Sequence, residues 1–201
     1  MIEVRPGGRR RIDRVLAPDY VTGLDRLDLG EVRARRDDAA QEETDLSYLR
    51  RLLHGRIDIV LAEQRRRADG GSASVVEQLA SILADNAVGP AMGSGRHQVM
   101  EPSRAEAHRR HVEALVSDAD LSDVAALPDE RLDLALRTYR SEEASVSQRR
   151  RQVQQVMDLL NEQIGNRYRA GSASVDDLLA AEREKPDREK PAERGKPGED
   201  R

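Results

Sequence analysis

The chain has 201 residues, a formal net charge of −4, 37% hydrophobic and 36% charged residues, and four Tyr with no Phe or Trp. So little aromatic bulk argues against the large close-packed core of most enzyme folds and fits long solvated helices that meet along narrow apolar seams. The absence of Cys rules out a disulfide framework, a thiol nucleophile and a Cys-based zinc site, and the near balance of charge argues against broad coating of nucleic acid.

In chain order, residues 1–11 carry Pro6, Gly7, Gly8 and Arg9 to Arg11 and read as a flexible basic arm. Pro18 and Gly23 bracket a segment, Asp19 to Asp28, that is a brief helix at most. Residues 29–67 are rich in Ala, Arg, Leu and Glu and predict a long helix, stopped by Gly70 and Gly71. A short helix is expected over about 75–84, where Ser74 and Glu77 have capping-box spacing, followed by a Gly- and Pro-rich loop at 85–103. Residues 104–116 are helical in composition. Pro128 with Asp129 and Glu130 starts a second long helix, 128–169, which Ala170-Gly171 ends. A last short helix covers about 175–183, and 184–201, with Lys-Pro at 185, 190 and 196, reads as a disordered tail. Residues 12–183 thus form one helical domain.

No segment alternates with period two over strand length, so the class is all-α. Two helices of about 40 residues, roughly 60 Å each, indicate a coiled coil. No apolar run approaches the roughly 20 residues of a membrane span and no signal peptide opens the chain, which gives an expected cytoplasmic location.

The chain repeats itself at an offset of 100 residues. Gly71-Ser72-Ala73-Ser74-Val75 recurs as Gly171-Ser172-Ala173-Ser174-Val175, and 14 of the 39 positions from 42 to 80 match their partner. Chance gives about two or three, so a copied helix–turn unit is the better reading. The heptads agree. Ala39, Leu46, Leu53 and Val60 are spaced by seven, and so are Tyr139, Val146, Val153 and Leu160 in the same phase, with Leu49 and Val156 at the second seam position. The matched polar residues lie on one side of this seam: Glu43, Ser47, Arg50, His54 and Asp58, and Glu143, Ser147, Arg150, Gln154 and Asp158. The two stripes share a face only if the helices run antiparallel. The fold expected is therefore an antiparallel two-helix coiled-coil hairpin with short flanking helices. A pseudo-two-fold axis crosses it, and Leu53 is expected near Val153.

Each stripe offers two carboxylates, a guanidinium and a hydroxyl, and the second adds an amide. Arg pairs bidentately with guanine O6 and N7 or with phosphate, and a carboxylate accepts from guanine N1–H and the exocyclic amine. The alternative is a solvated charged face, as expected of such positions on any coiled coil. Two rival functions stay open beside ligand binding. One is a ligand-independent helical adaptor; the other is a nucleic-acid binder using Arg65 to Arg67 and Arg149 to Arg151. His108 and His111, with Glu106 nearby, have the spacing of half a metal site but no further ligands, and read as solvated helix surface with no metal. No phosphate loop or nucleophile–base pair appears, so no catalytic role is expected.

The pattern Glu-x3-Ser-x2-Arg-x3-Gln-x3-Asp at 143–158, and again at 43–58 with His54 in place of Gln, resembles the RsiG family of actinobacterial anti-sigma factors. Leu46-Ser47-Tyr48-Leu49-Arg50-Arg51 and Val15-Leu16-Ala17-Pro18-Asp19 are similar to the family as well, and the resemblance covers roughly 12–180. It implies that the ten stripe residues bind a cyclic di-GMP dimer. It also implies that the loaded protein sequesters a sporulation sigma factor of the WhiG type.

Overall fold

The computed structural model describes residues 3–70, 101–115 and 121–171, with backbone only at 121–123. Four α-helices are present there: α1, Arg11–Val15; α2, Leu29–Ala68; α3, Ala105–Ala114; and α4, Asp129–Arg169. Short 3-10 turns at Pro18–Val21, Leu24–Arg26 and Leu121–Ala126 precede or join them, and no strand occurs among the described residues. The long helices end within about a residue of their expected bounds. Pro18–Val21 and Leu24–Arg26 replace the brief helix expected before α2. The helices expected at 75–84 and 175–183 and the tail at 184–201 lie outside the described residues.

Local chemistry sets the ends of the long helices. The Asp28 carboxylate accepts from the Glu31 N–H at 2.7 Å while the Asp28 N–H donates to the Glu31 side chain at 3.0 Å, a complete capping box. At α4, Pro128 holds φ at −67° and Asp129 and Glu130 occupy the positive end of the helix dipole. Both helices stop where a glycine turns left-handed, Gly70 at φ 60° and Gly171 at φ 68°.

The seam is the one that the heptads mark. Ala39, Leu46, Leu53, Val60, Tyr139, Val146, Val153 and Leu160 are each at most 2% exposed. Of the second seam positions, Leu49 is equally buried and Val156 partly so. Ile12 and Val15 from α1 and Val112 from α3 extend this core sideways.

Cross-helix hydrogen bonds fix the direction. Arg33 meets Tyr168, Arg50 meets Ser147, Gln64 meets Asp133 and Arg67 meets Asp129, so numbers rise on one helix as they fall on the other. The hairpin is antiparallel. Its register corrects one expectation. Arg50 is level with residues 143–147, which puts Leu49 near Val146 and leaves Val153 about ten residues, roughly 15 Å, along the axis from the level of Leu53. The pseudo-two-fold axis consequently crosses α2 at Ser47 to Arg50.

The repeat also builds a pair of latches. Arg67, at the end of α2, donates to the carbonyls of Val124, Ala125 and Leu127 at 3.3, 3.1 and 2.8 Å, just ahead of α4. Arg167, its repeat partner at the end of α4, donates to the carbonyls of Leu24 and Leu27 at 2.6 and 2.7 Å, just ahead of α2. Each guanidinium adds a charged donor to carbonyls of the turn that enters the other long helix, where Val124 and Leu24 also accept from the Leu127 and Leu27 N–H groups. Arg67 also pairs with the buried Glu63 at 2.6 Å, as does Arg66 at 2.8 Å, and these two arginines hold the Glu63 carboxyl down at about 2.

On the side of α2 where α1 and α3 pack, buried acids organise the layer. Asp45 accepts from the Ser103 N–H and hydroxyl, both at 2.6 Å, and from Arg11 at 3.1 Å. Glu42 pairs with Arg104 at 2.5 Å. The basic arm expected over 1–11 is tied down through its described part. The Arg5 N–H and the Arg10 guanidinium both donate to Asp13, Arg10 also reaches the Glu3 carbonyl, and Arg11 opens α1. His108 and His111 are not the solvated pair expected. His111 Nε2 lies 3.0 Å from the buried Glu142, and His108 Nε2 is itself buried.

Two outcomes follow from this register and these latches. Cysteines placed at Leu49 and Val146 are expected to cross-link within one chain under a short bifunctional thiol reagent, and a Leu53–Val153 pair is not; the reverse pattern on a denaturing gel would overturn the register. Arg67→Ala and Arg167→Ala are each expected to cost about 1 kcal/mol or somewhat more in urea unfolding, since each strips a charged donor from partly buried carbonyls.

Candidate functional site

The two stripes meet on one face of the hairpin, but not stripe beside stripe. Each breaks in half and pairs with the other helix. In one cluster, Glu43 Oε1 accepts from the Ser47 hydroxyl at 2.9 Å on its own helix, and from Arg150 Nη1 at 2.9 Å and Gln154 Nε2 at 3.3 Å on α4. In the other, Glu143 Oε1 accepts from the Ser147 hydroxyl at 2.6 Å and from Arg50 Nε at 3.0 Å, with His54 Nε2 at 3.1 Å. Arg50 Nε also donates to the Ser147 hydroxyl at 3.0 Å. The Glu-x3-Ser half of each stripe thus lies against the Arg-x3-Gln or Arg-x3-His half of its partner.

The helical period explains this. Glu43, Ser47, Arg50 and His54 are spaced by three or four residues and form one line along α2. The axis falls inside that line, so the antiparallel copy slides Glu143 and Ser147 to the level of Arg50. Eight of the ten stripe residues are brought together in this way. Asp58 and Asp158 lie at the two far ends, about ten residues from the axis; Asp158 is exposed and Asp58 half-buried.

The electrostatics differ between the halves. Burial pushes the Glu143 carboxyl up, but hydrogen bonds from Ser147, His54 and Arg50 outweigh it, and Glu143 stays below the usual carboxylate range. It is ionised at neutral pH. Arg50 is 39% exposed and Glu143 22%, so their pair sits at the wet rim of the seam. Arg150 is more enclosed, and its Nε is buried with no hydrogen-bond partner. Nη1 of the same guanidinium holds Glu43. Each guanidinium is matched to a carboxylate of the opposite helix.

The eight clustered residues are all half-buried. A cavity of about 280 Å³ lies elsewhere, lined by Glu42, Arg104, His108 and His111 among others, and none of the ten stripe residues lines it. The two Arg triplets are divided in use: Arg66 and Arg67 are engaged with Glu63, and Arg150 with Glu43.

A family model described as RsiG-like matches residues 18–83 and 118–182. The chain belongs to the RsiG-like family. The two matched segments of this RsiG-like chain begin 100 residues apart, the offset of its internal repeat, and each contains one long helix with the turns that precede it. Both latches and all ten stripe residues fall inside them; α1 and α3 fall outside. Membership makes the protein a regulator of the anti-sigma-factor type, and no curated protein matches the chain. Among the described residues no helix is long and apolar enough to cross a membrane.

The sequence marks the ten stripe residues, eight of which the structure brings together, but not the exchange of halves, which depends on register. It also missed Arg67 and Arg167, although their identity at matched positions of the repeat was a usable signal.

Arg50→Ala is expected to change unfolding free energy by less than about 1 kcal/mol, since a half-exposed ion pair contributes about 0–1 kcal/mol and Glu143 keeps Ser147 and His54. Leu53→Ala, which opens a fully buried seam position, is expected to cost about 2–5 kcal/mol. Equal losses in chemical denaturation would mean that the polar face, and not the seam, holds the hairpin.

Proposed function

We propose that this chain binds cyclic di-GMP on the two-fold polar face of the hairpin, as a two-fold dimer of the ligand. In this reading the loaded hairpin holds a sporulation sigma factor of the WhiG type in an actinobacterial cytoplasm and performs no catalysis. The observation that carries the reading is the pair of matched clusters, Glu43–Ser47–Arg150–Gln154 and Glu143–Ser147–Arg50–His54, related by one axis. A structural salt bridge needs neither the repetition nor the serine and amide that accompany it. A two-fold ligand with a guanine at each end uses all of them.

The chemistry of each cluster suits guanine. The carboxylate accepts from N1–H and the exocyclic amine, and the guanidinium donates to O6 and N7 or to a phosphate. The Ser hydroxyl donates to phosphate or ribose. The buried Arg150 Nε, without a partner in the free chain, supports the same reading: a buried donor left unsatisfied costs about 1–3 kcal/mol, which a ligand acceptor would recover.

Regulation then follows from linkage. The ligand brings phosphate charge to a face of paired acids and guanidiniums and frees or redirects those side chains. A sigma factor that contacts both ligand and hairpin binds the loaded form more tightly, and by reciprocity raises the ligand's affinity.

Calorimetry of the full chain with cyclic di-GMP, against GMP and cyclic di-AMP, tests this. Cyclic di-GMP alone is expected to bind tightly. Arg50→Ala or Arg150→Ala is expected to weaken it by about 1–3 kcal/mol, roughly 5- to 150-fold. The larger loss is expected for Arg150, whose cluster carries the amide. Unchanged binding by both variants would overturn the site. A sigma complex that forms equally well without ligand on gel filtration would favour the plain adaptor.

A further inference from the structure

The two clusters differ at one matched position. Gln154 Nε2 lies 3.3 Å from Glu43, and His54 Nε2 lies 3.1 Å from Glu143. An amide stays neutral at every accessible pH, whereas histidine is the side chain that changes charge between about pH 5 and 8. Resting on the cyclic di-GMP reading above, we infer that His54 couples ligand binding on this face to the uptake of a proton.

The charge balance sets the direction. Across the ten stripe residues, Glu43, Glu143, Asp58 and Asp158 oppose Arg50 and Arg150, so the face carries net −2 when the imidazole is neutral. Each phosphodiester of the ligand adds a further negative charge. A proton on His54 reduces the opposing charge and turns Nδ1 from an acceptor into a second donor. The anionic ligand therefore binds the imidazolium form more tightly, and by linkage the bound ligand raises the proton affinity of His54.

The surroundings of His54 bound the size of the effect. From α4 it faces Glu143, with Ser147 on the same carboxylate and Arg140 a turn away. On α2, Arg50 and Arg51 lie one turn before it and Asp58 one turn after. The charge that the ligand adds drives uptake, and less than one full proton is taken up. The other half of the face has no counterpart, because Gln154 does not titrate.

The test is calorimetry of the full chain with cyclic di-GMP at several pH values, in two buffers of different ionisation heat, for the parent and for His54→Gln. The parent is expected to bind roughly three- to tenfold more tightly at pH 6 than at pH 8, well within the tenfold per pH unit that one proton allows. Its apparent heat is expected to change with buffer. His54→Gln is expected to bind with no such slope and no dependence on buffer. The His54 ring-proton resonance in the parent is expected to titrate at higher pH once ligand is present. A flat parent profile, the same slope in His54→Gln, or an unmoved resonance overturns the coupling while leaving the ligand site intact. Failure of both proteins to bind at any pH overturns the ligand site and the coupling together.

Discussion

The register of the antiparallel seam decides what this protein is. Eight buried heptad residues hold α2 against α4, and their phase places the axis inside the polar stripes and not beyond their ends. Everything on the polar face depends on that placement. With it, Glu143 meets Arg50 and Glu43 meets Arg150. A slip of one heptad would move the two halves of each cluster about 10 Å apart. The latches oppose such a slip, because Arg67 and Arg167 each grip carbonyls ahead of the other long helix.

Stability and the proposed ligand binding thereby fall to different sides of one coiled coil. The seam contributes apolar burial, at about 2–5 kcal/mol for a large side chain truncated to Ala. The polar clusters contribute little, since half-exposed ion pairs are worth about 0–1 kcal/mol. They are free to exchange one set of partners for another at small cost to the fold. A face that stays ordered without ligand, yet loses little when its own hydrogen bonds are redirected, suits a switch. On the remaining side of α2, Asp45 and Glu42 hold Arg11, Ser103 and Arg104, which come from segments outside the family match. These contacts steady α2 beside the stripes.

Much of this was readable from the residues alone. The heptads gave the seam because apolar side chains at intervals of seven have no other place to go in a highly charged helix. The repeat at an offset of 100 gave the stripes, and their shared face required antiparallel helices. What could not be read was where along its length each helix is level with the other. Leu53 and Val153 are matched in the repeat and so were expected to meet, but matching in sequence is not adjacency across an antiparallel pair. The contacts that join distant segments were hidden for a similar reason. His111 looks like a surface residue on a short polar helix, and only packing against α4 brings it to Glu142. The basic arm looked flexible because its charge and glycines say so, while Asp13 ties it locally.

The central claim is that one hairpin, through its two matched clusters, forms one two-fold site. Native mass spectrometry of the full chain with cyclic di-GMP tests this most directly. The account predicts a single chain carrying two ligand molecules, with the singly loaded species scarce because the two act as a dimer. One ligand per chain, or two chains around the ligand, would contradict it.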